Sequence, residues 1–299
     1  MTILSLAQII WQVFQLQTLS FSYINLITYY NYNLYLKIKM FINNFDPVAF
    51  QIFSFEIRWY SLAYIVGILL GWFLSKKFFI SEQKVREKFD DYLTYLILGL
   101  IIGGRLGYVV FYNFEFYINN LLDIFKIWQG GMSFHGGVIG IIIASYIFAK
   151  KNSQSSFSYL DIVSFVAPIG IFFGRIANFI NSELYGVETN VAWAVQFAQI
   201  DNLYRHPTQL YEAFFEGIVL FLVLLYFKNK SFSKRPGFIS GIFLVFYSIF
   251  RFAIEFLRVP DDQLGYLLFS LTMGQLISIF FLIIGCYLLI SKYENRQNS

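Results

Sequence analysis

The chain has 299 residues, of which 58% are hydrophobic, 21% aromatic and 13% charged, with a formal net charge of +4. Charged residues in a soluble domain run nearer a quarter of the total, so this composition excludes a disordered chain, a coiled coil and an ordinary water-soluble enzyme. The class that remains is a polytopic integral membrane protein, and a net charge this small argues against nucleic acid as a partner.

Residues 1–39 mix Gln, Asn and Tyr among apolar residues and carry no charge before Lys37. A basic n-region and a small-residue cleavage site are both missing, so a signal peptide reads poorly. The expectation is an extension without a role, ahead of a start at Met40.

From Met40 on, seven apolar stretches reach the roughly 20 residues that a bilayer core of about 30 Å requires of a helix. They lie at about 59–79, 92–113, 131–149, 159–181, 210–227, 238–258 and 267–290. The apolar runs are continuous and do not alternate, which excludes a transmembrane barrel. The predicted fold is therefore all-α, one seven-helix transmembrane domain over 40–299. Glycines four apart, such as Gly99/Gly103, Gly103/Gly107 and Gly136/Gly140, let helices approach closely.

Lys and Arg in the short loops set the orientation. Lys76, Lys77, Lys84, Arg86 and Lys88 follow the first span, Lys150 and Lys151 the third, and Lys228, Lys230, Lys234 and Arg235 the fifth, with Lys292 and Arg296 in the tail. The opposite loops carry Arg58, Lys126, Arg205 and Arg258. The N-terminal side of the first span is thus expected outside and the C-terminus in the cytoplasm.

Charge within a span is costly, which makes each such residue a functional candidate. With this orientation the outer halves of the spans hold Trp59 and Tyr60, Arg105, His135, then Arg175, Asn178 and Asn181 with Glu183 just beyond, Glu212 and Glu216, and Arg251, Glu255 and Arg258. Only Asp161 falls near the cytoplasmic side. This one-sided polarity points to a cavity open toward the outer leaflet. Guanidinium groups on several helices suit an anion, because each grips phosphate at two points and keeps its proton. The abundant anion at that depth is a phospholipid headgroup. Arg251/Glu255 and Glu212/Glu216 are also i, i+4 on one helix face, and Arg–Glu pairs can satisfy each other within a bundle core.

Other chemistries find no support. A single cysteine, Cys286, precludes internal disulfides and CxxC sites, and two histidines, His135 and His206, preclude a His-rich metal centre. There is no G-x-S-x-G, H-E-x-x-H or P-loop. No metal or organic cofactor is expected.

Five segments then resemble one family. Gly174-Arg-Ile-Ala-Asn-Phe-Ile-Asn-Ser-Glu-Leu-Tyr-Gly186 is similar to the signature of prolipoprotein diacylglyceryl transferases, and Gly130-Gly-Met-Ser-Phe-His-Gly-Gly137 to their histidine–glycine loop. Gly103–Tyr108, Arg205–Glu212 and Arg251–Arg258 resemble further blocks in the same order. The resemblance covers Met40 to about Lys292. The 39-residue leader has no counterpart in it, and the stretch between Gly186 and Arg205 is short for the family. It implies the first step of bacterial lipoprotein maturation: transfer of the diacylglyceryl group of phosphatidylglycerol to the lipobox cysteine thiol in a prolipoprotein signal peptide. It further implies a multi-pass protein of the bacterial inner (cytoplasmic) membrane. On the matching positions it assigns Arg175 and Arg251 to the phosphate, with Glu255 holding Arg251, Asn178 to headgroup hydrogen bonds, and Glu183 to orienting an arginine or the headgroup. Gly186 is the turn, Tyr60 positions or donates to the headgroup, and His135 is the candidate base for the thiol, the rival being a thiol activated by the substrate phosphate in an arginine-dominated mechanism; Arg105 and Arg258 complete the substrate contacts. The rival readings are a transporter and a non-catalytic binding protein for an anionic lipid headgroup.

Overall fold

The computed structural model describes residues 40–230, 235–260 and 265–294; the extension expected over 1–39 lies outside the described residues. Among these, seven helices are long and apolar enough to cross a membrane. They are α1 (Trp59–Phe79), α2 (Phe89–Tyr112), α3 (Phe134–Lys151), α4 (Ser156–Ile180), α5 (Thr208–Lys228), α6 (Phe238–Glu255) and α7 (Met273–Glu294). Exposed Leu69, Ile102, Ile142, Leu222 and Ile283 lie on their surfaces, as expected of side chains that face lipid.

Two helix starts fall later than hydropathy predicts, and capping explains both. Gly130 and Gly131 take φ of +84° and +80°, conformations that suit glycine. Helix α3 begins only after Ser133, whose hydroxyl accepts the Gly136 amide at 3.2 Å. Phe269 and Ser270 are likewise left-handed, at φ 55° and 58°. Thr272 then caps α7 reciprocally: its Oγ1 accepts the Gln275 amide at 3.3 Å, and Gln275 Oε1 accepts the Thr272 amide at 3.0 Å.

The described residues fall into two compact units. The smaller combines residues 40–44 with Val187–Pro207. In it β1 (Phe41–Asn43) pairs in parallel with β4 (Val195–Phe197), which pairs antiparallel with β5 (Tyr204–Arg205). Arg205 Nη2 lies 2.5 Å from Asp201 Oδ2, and that hydrogen bond holds the Asp201 carboxyl below its ordinary value. Burial holds the His206 imidazole below its own.

The larger unit spans Phe45–Gly186 and everything from Thr208 on. A hairpin of β2 (Val48–Ile52) and β3 (Phe55–Arg58) leads into α1. These short strands, five among the described residues, add to the helical fold that the sequence predicts; two to five residues are too few to show a period of two.

Helix α4 is central to the bundle. It packs against α1 where a Cβ on Gly67 would stand 3.3 Å from Gly170 Cα, and against α5 where one on Gly217 would stand 2.7 Å from Phe172 Cβ. Asp161 fastens the start of α6 to it, accepting the Gly237 amide at 2.7 Å and the Ser240 amide and hydroxyl at 2.8 and 2.7 Å. An aromatic and aliphatic core of Phe165, Leu220, Leu224, Ile239 and Ile242 fills the same half of the bundle.

Helices α2 and α3 meet backbone to backbone. A Cβ on Gly103 would stand 2.7 Å from Gly140 Cα, and one on Gly107 2.7 Å from Gly136 Cα. Gly103→Val is therefore expected to push the pair apart and to destabilise by about 1–3 kcal/mol, as overpacking does. The check is a lowered thermal midpoint in detergent.

Candidate active site

Polar residues gather where α4 ends, α5 begins and α6 ends. Glu212, on the first turn of α5, is fully buried and forms the hub. Its Oε2 lies 3.1 Å from Arg175 Nε of α4, while its Oε1 pairs with Arg251 Nη1 of α6 and lies 3.5 Å from Arg258 Nη1 just past that helix. One carboxylate thus draws in three guanidinium groups, and its two oxygens are bridged by Arg175 and Arg251. Any small anion that replaces or joins it meets the same two donors.

The remaining pairs brace this arrangement. Arg251 Nη2 lies 2.7 Å from Glu255 Oε2, and Thr272 donates to Glu255 Oε1 at 2.9 Å. Gly274 makes room for it, since a Cβ there would stand 2.6 Å from Glu255 Oε1. Arg175 Nη2 reaches Glu216 Oε2 at 3.4 Å. Side-chain exposures of 17% for Arg175 and 12% for Arg251, against 0% for Glu212 and Glu216, leave the two arginines slightly accessible and the two acids not at all. Arg175 Nη1 has no recorded partner among the described residues. From Ala213 to Val219, between the two acids and beyond, α5 winds as a π-helix, a distortion common at functional sites.

Beyond α4 the chain turns sharply. Asn178 Nδ2 and Asn181 Nδ2 donate to the two Glu183 carboxylate oxygens at 3.0 and 3.3 Å. Ser182 and Leu184 adopt φ of 58°, a left-handed conformation that strains non-glycine residues. Buried Thr208 and Gln209 hold this turn, donating to the Leu184 and Glu183 carbonyls at 2.9 and 2.5 Å. Gly186, which the sequence reading makes the turn residue, does not have a positive φ; it forms a β-bridge with Arg258 instead.

Three further candidates stand apart from the cluster. Arg105 is buried, and its donors reach the carbonyls of Ile124, Gly130, Gly131, Asp123 and Lys126 at 2.5 to 3.3 Å. Its guanidinium is thus occupied by the loop that leads into α3, not turned to the arginine cluster. His135, on the first turn of α3, is exposed, and its recorded contact is edge-on with the Phe134 ring. Tyr60 is half-buried and packs edge-on against Tyr64 at 5.2 Å. Cys286 is exposed on α7.

Residues 47–291 match the family description "prolipoprotein diacylglyceryl transferase". The chain belongs to that family. Among curated relatives, a phosphatidylglycerol–prolipoprotein diacylglyceryl transferase of Rickettsia felis is 51% identical over 250 residues, covering 82% of this chain and 96% of the relative. Proteins of the same name from Rickettsia canadensis and Rickettsia bellii are 51% identical over 254 residues and 50% over 258, covering 84% and 85% of this chain and 98% and 97% of theirs. The family suggested by the five motifs is thereby confirmed, and with it a multi-pass membrane protein of the transferase class. Glu212 and Glu216 are the residues that sequence reasoning left outside the site. Their signal was present as an acidic pair within a span, but structural Arg–Glu pairing in a bundle core accounts for such acids equally well.

Proposed function

We propose that this chain transfers the diacylglyceryl group from phosphatidylglycerol to the lipobox cysteine of prolipoprotein signal peptides, in the bacterial inner membrane, with its site toward the outer leaflet. The observation that carries the reading is the sharing of one carboxylate by Arg175 and Arg251 from different helices. A phosphodiester presents two oxygens in the same way. In the reaction the thiolate attacks the glycerol carbon, a C–S bond forms, and the C–O bond breaks so that glycerol phosphate leaves. Charge grows on the departing phosphate, and donors already aimed there stabilise the transition state more than the ground state. Arg175 and Arg251 take this role, with Glu255 and Glu212 holding them, Arg258 completing the positive wall, and the Asn178–Glu183 pair and Tyr60 meeting the headgroup.

The thiol must lose its proton to become nucleophilic. His135, exposed beside the loop fastened by Arg105, is the group assigned to receive it. The His135→Gln variant is expected to lower turnover about a hundredfold while phosphatidylglycerol binding stays intact. Undiminished turnover in single-turnover assays would remove the assignment.

The test of the whole reading is incubation of the purified protein with phosphatidylglycerol and a lipobox peptide. Thioether-linked diacylglyceryl peptide is the expected product. Lipid binding without product would reduce the protein to a headgroup binder. Its orientation follows from the loop lysines and arginines, and the apolar core around Phe165, Leu220 and Leu224 in the other half of the bundle favours a one-sided cavity over a transport path.

A further inference from the structure

Glu216 has no role in the transfer described above, and of the three acids in the cluster it stands farthest from its nearest cation among the described residues. It is fully buried. One carboxyl oxygen lies 3.4 Å from Arg175 Nη2, and the other, Oε1, has no hydrogen-bond donor among the described residues. Glu212 Oε2 and Glu255 Oε2 also lack a hydrogen-bond donor of good geometry, but each lies beside a guanidinium, 3.1 Å from Arg175 Nε and 2.7 Å from Arg251 Nη2.

The charges of the cluster are already balanced without substrate. Arg175, Arg251 and Arg258 face Glu212, Glu216 and Glu255, three cations against three acids. The groups acting on Glu216 are Arg175 from α4, Glu212 from its own helix, and Arg251 with the Tyr247 phenol from α6; none of these can supply a further positive charge. A phosphodiester brings one negative charge into this low-dielectric site. An uncompensated buried charge is expensive, and a proton is the compensation available.

We propose that Glu216 takes up one proton as the anionic phospholipid binds, so that the lipid-bound site carries a neutral carboxyl behind Arg175. The proton enters from water with the lipid, no covalent bond changes, and Arg175 is left to turn from Glu216 toward the phosphate. This deepens the transferase reading and rests on it. Uptake of a proton on binding makes affinity fall as pH rises, by about tenfold per pH unit once the resting carboxyl is ionised. Replacing Glu216 by a residue that cannot ionise removes both the slope and the electrostatic opposition to the lipid.

The experiment is equilibrium binding of radiolabelled phosphatidylglycerol to the full-length protein in phosphatidylcholine nanodiscs, from neutral to alkaline pH. It compares wild type with Glu216→Gln and, as a second neutral variant, Glu216→Leu. Wild-type affinity is expected to decline with pH, while both variants bind with no such slope and more tightly than wild type at the alkaline end. Parallel slopes in the three proteins, or variants that bind more weakly at every pH, would overturn the proposal and leave the transferase reading standing. No phosphatidylglycerol binding by wild type at any pH would overturn both.

Discussion

Arg175→Ala is expected to reduce diacylglyceryl transfer by about a thousandfold or more, and Arg175→Lys to restore only a small part of it. Removing one donor aimed at a developing charge typically removes a hundredfold to a thousandfold from turnover. Arg175 does more than supply one donor. Its Nε and Nη2 engage Glu212 and Glu216, at 3.1 and 3.4 Å, while Nη1 keeps no recorded partner. A planar guanidinium serves two acids along one edge and still presents a donor on the other. A lysine ammonium is a point charge on a flexible stem and cannot span the same acceptors. The measurement is thioether product formed per enzyme in a single turnover, with the thermal midpoint followed in parallel to separate lost chemistry from lost folding. A fully active lysine variant would refute two-point recognition of the phosphate, and an alanine variant whose loss lies wholly in lipid affinity would refute selective stabilisation of the transition state.

The arginines were legible in the sequence because charge inside an apolar span has few bland explanations: Arg175, Arg251 and Arg258 sit at one depth on two separate segments, and the fold brings them to one carboxylate. That carboxylate was harder to read. Glu212 and Glu216 lie four apart, and the spacing fits mutual placement on a helix face as well as it fits a hub reaching to neighbouring helices. Arg105 misled for a different reason. It is as buried and as charged as the others, but its partners are backbone carbonyls of the 123–131 segment, and a carbonyl leaves no mark in the sequence. Helix starts were misplaced where hydropathy runs on through chain that is not α-helical, at Met132 before α3 and at Leu267, Phe269 and Leu271 before α7. The better signals there were Ser133 and the Thr272–Gln275 pair, whose side chains mark the true helix starts by capping. At the signature turn, the family resemblance made Gly186 the turn residue, whereas Ser182 and Leu184 take the left-handed conformation. Tertiary hydrogen bonds from Thr208 and Gln209 offset the local strain, and no local rule anticipates a brace from the next helix.

Glu212→Leu is expected to cost more folding stability than the loss of any other single side chain in the site, on the order of 3–5 kcal/mol, because breaking a buried ion pair strands the partner charge. Here the stranded charges belong to Arg175, Arg251 and Arg258, which converge on a carboxylate with no exposed surface. Without it, guanidinium groups on α4 and α6 repel one another across the space that Glu212 fills. The double variant Glu212→Leu/Arg251→Met should recover part of the loss, since removing both members of a buried pair is better tolerated than removing one, and contacting residues do not add independently. Thermal midpoints of the two single variants and the double in the same detergent close the cycle. A double variant no more stable than the sum of the singles would show that Glu212 does not serve as the common counter-ion. Activity separates a second consequence. If Glu212 holds Arg175 and Arg251 at the spacing of one phosphate, the stability regained in the double variant brings back none of the transfer, because the second phosphate contact has gone with Arg251.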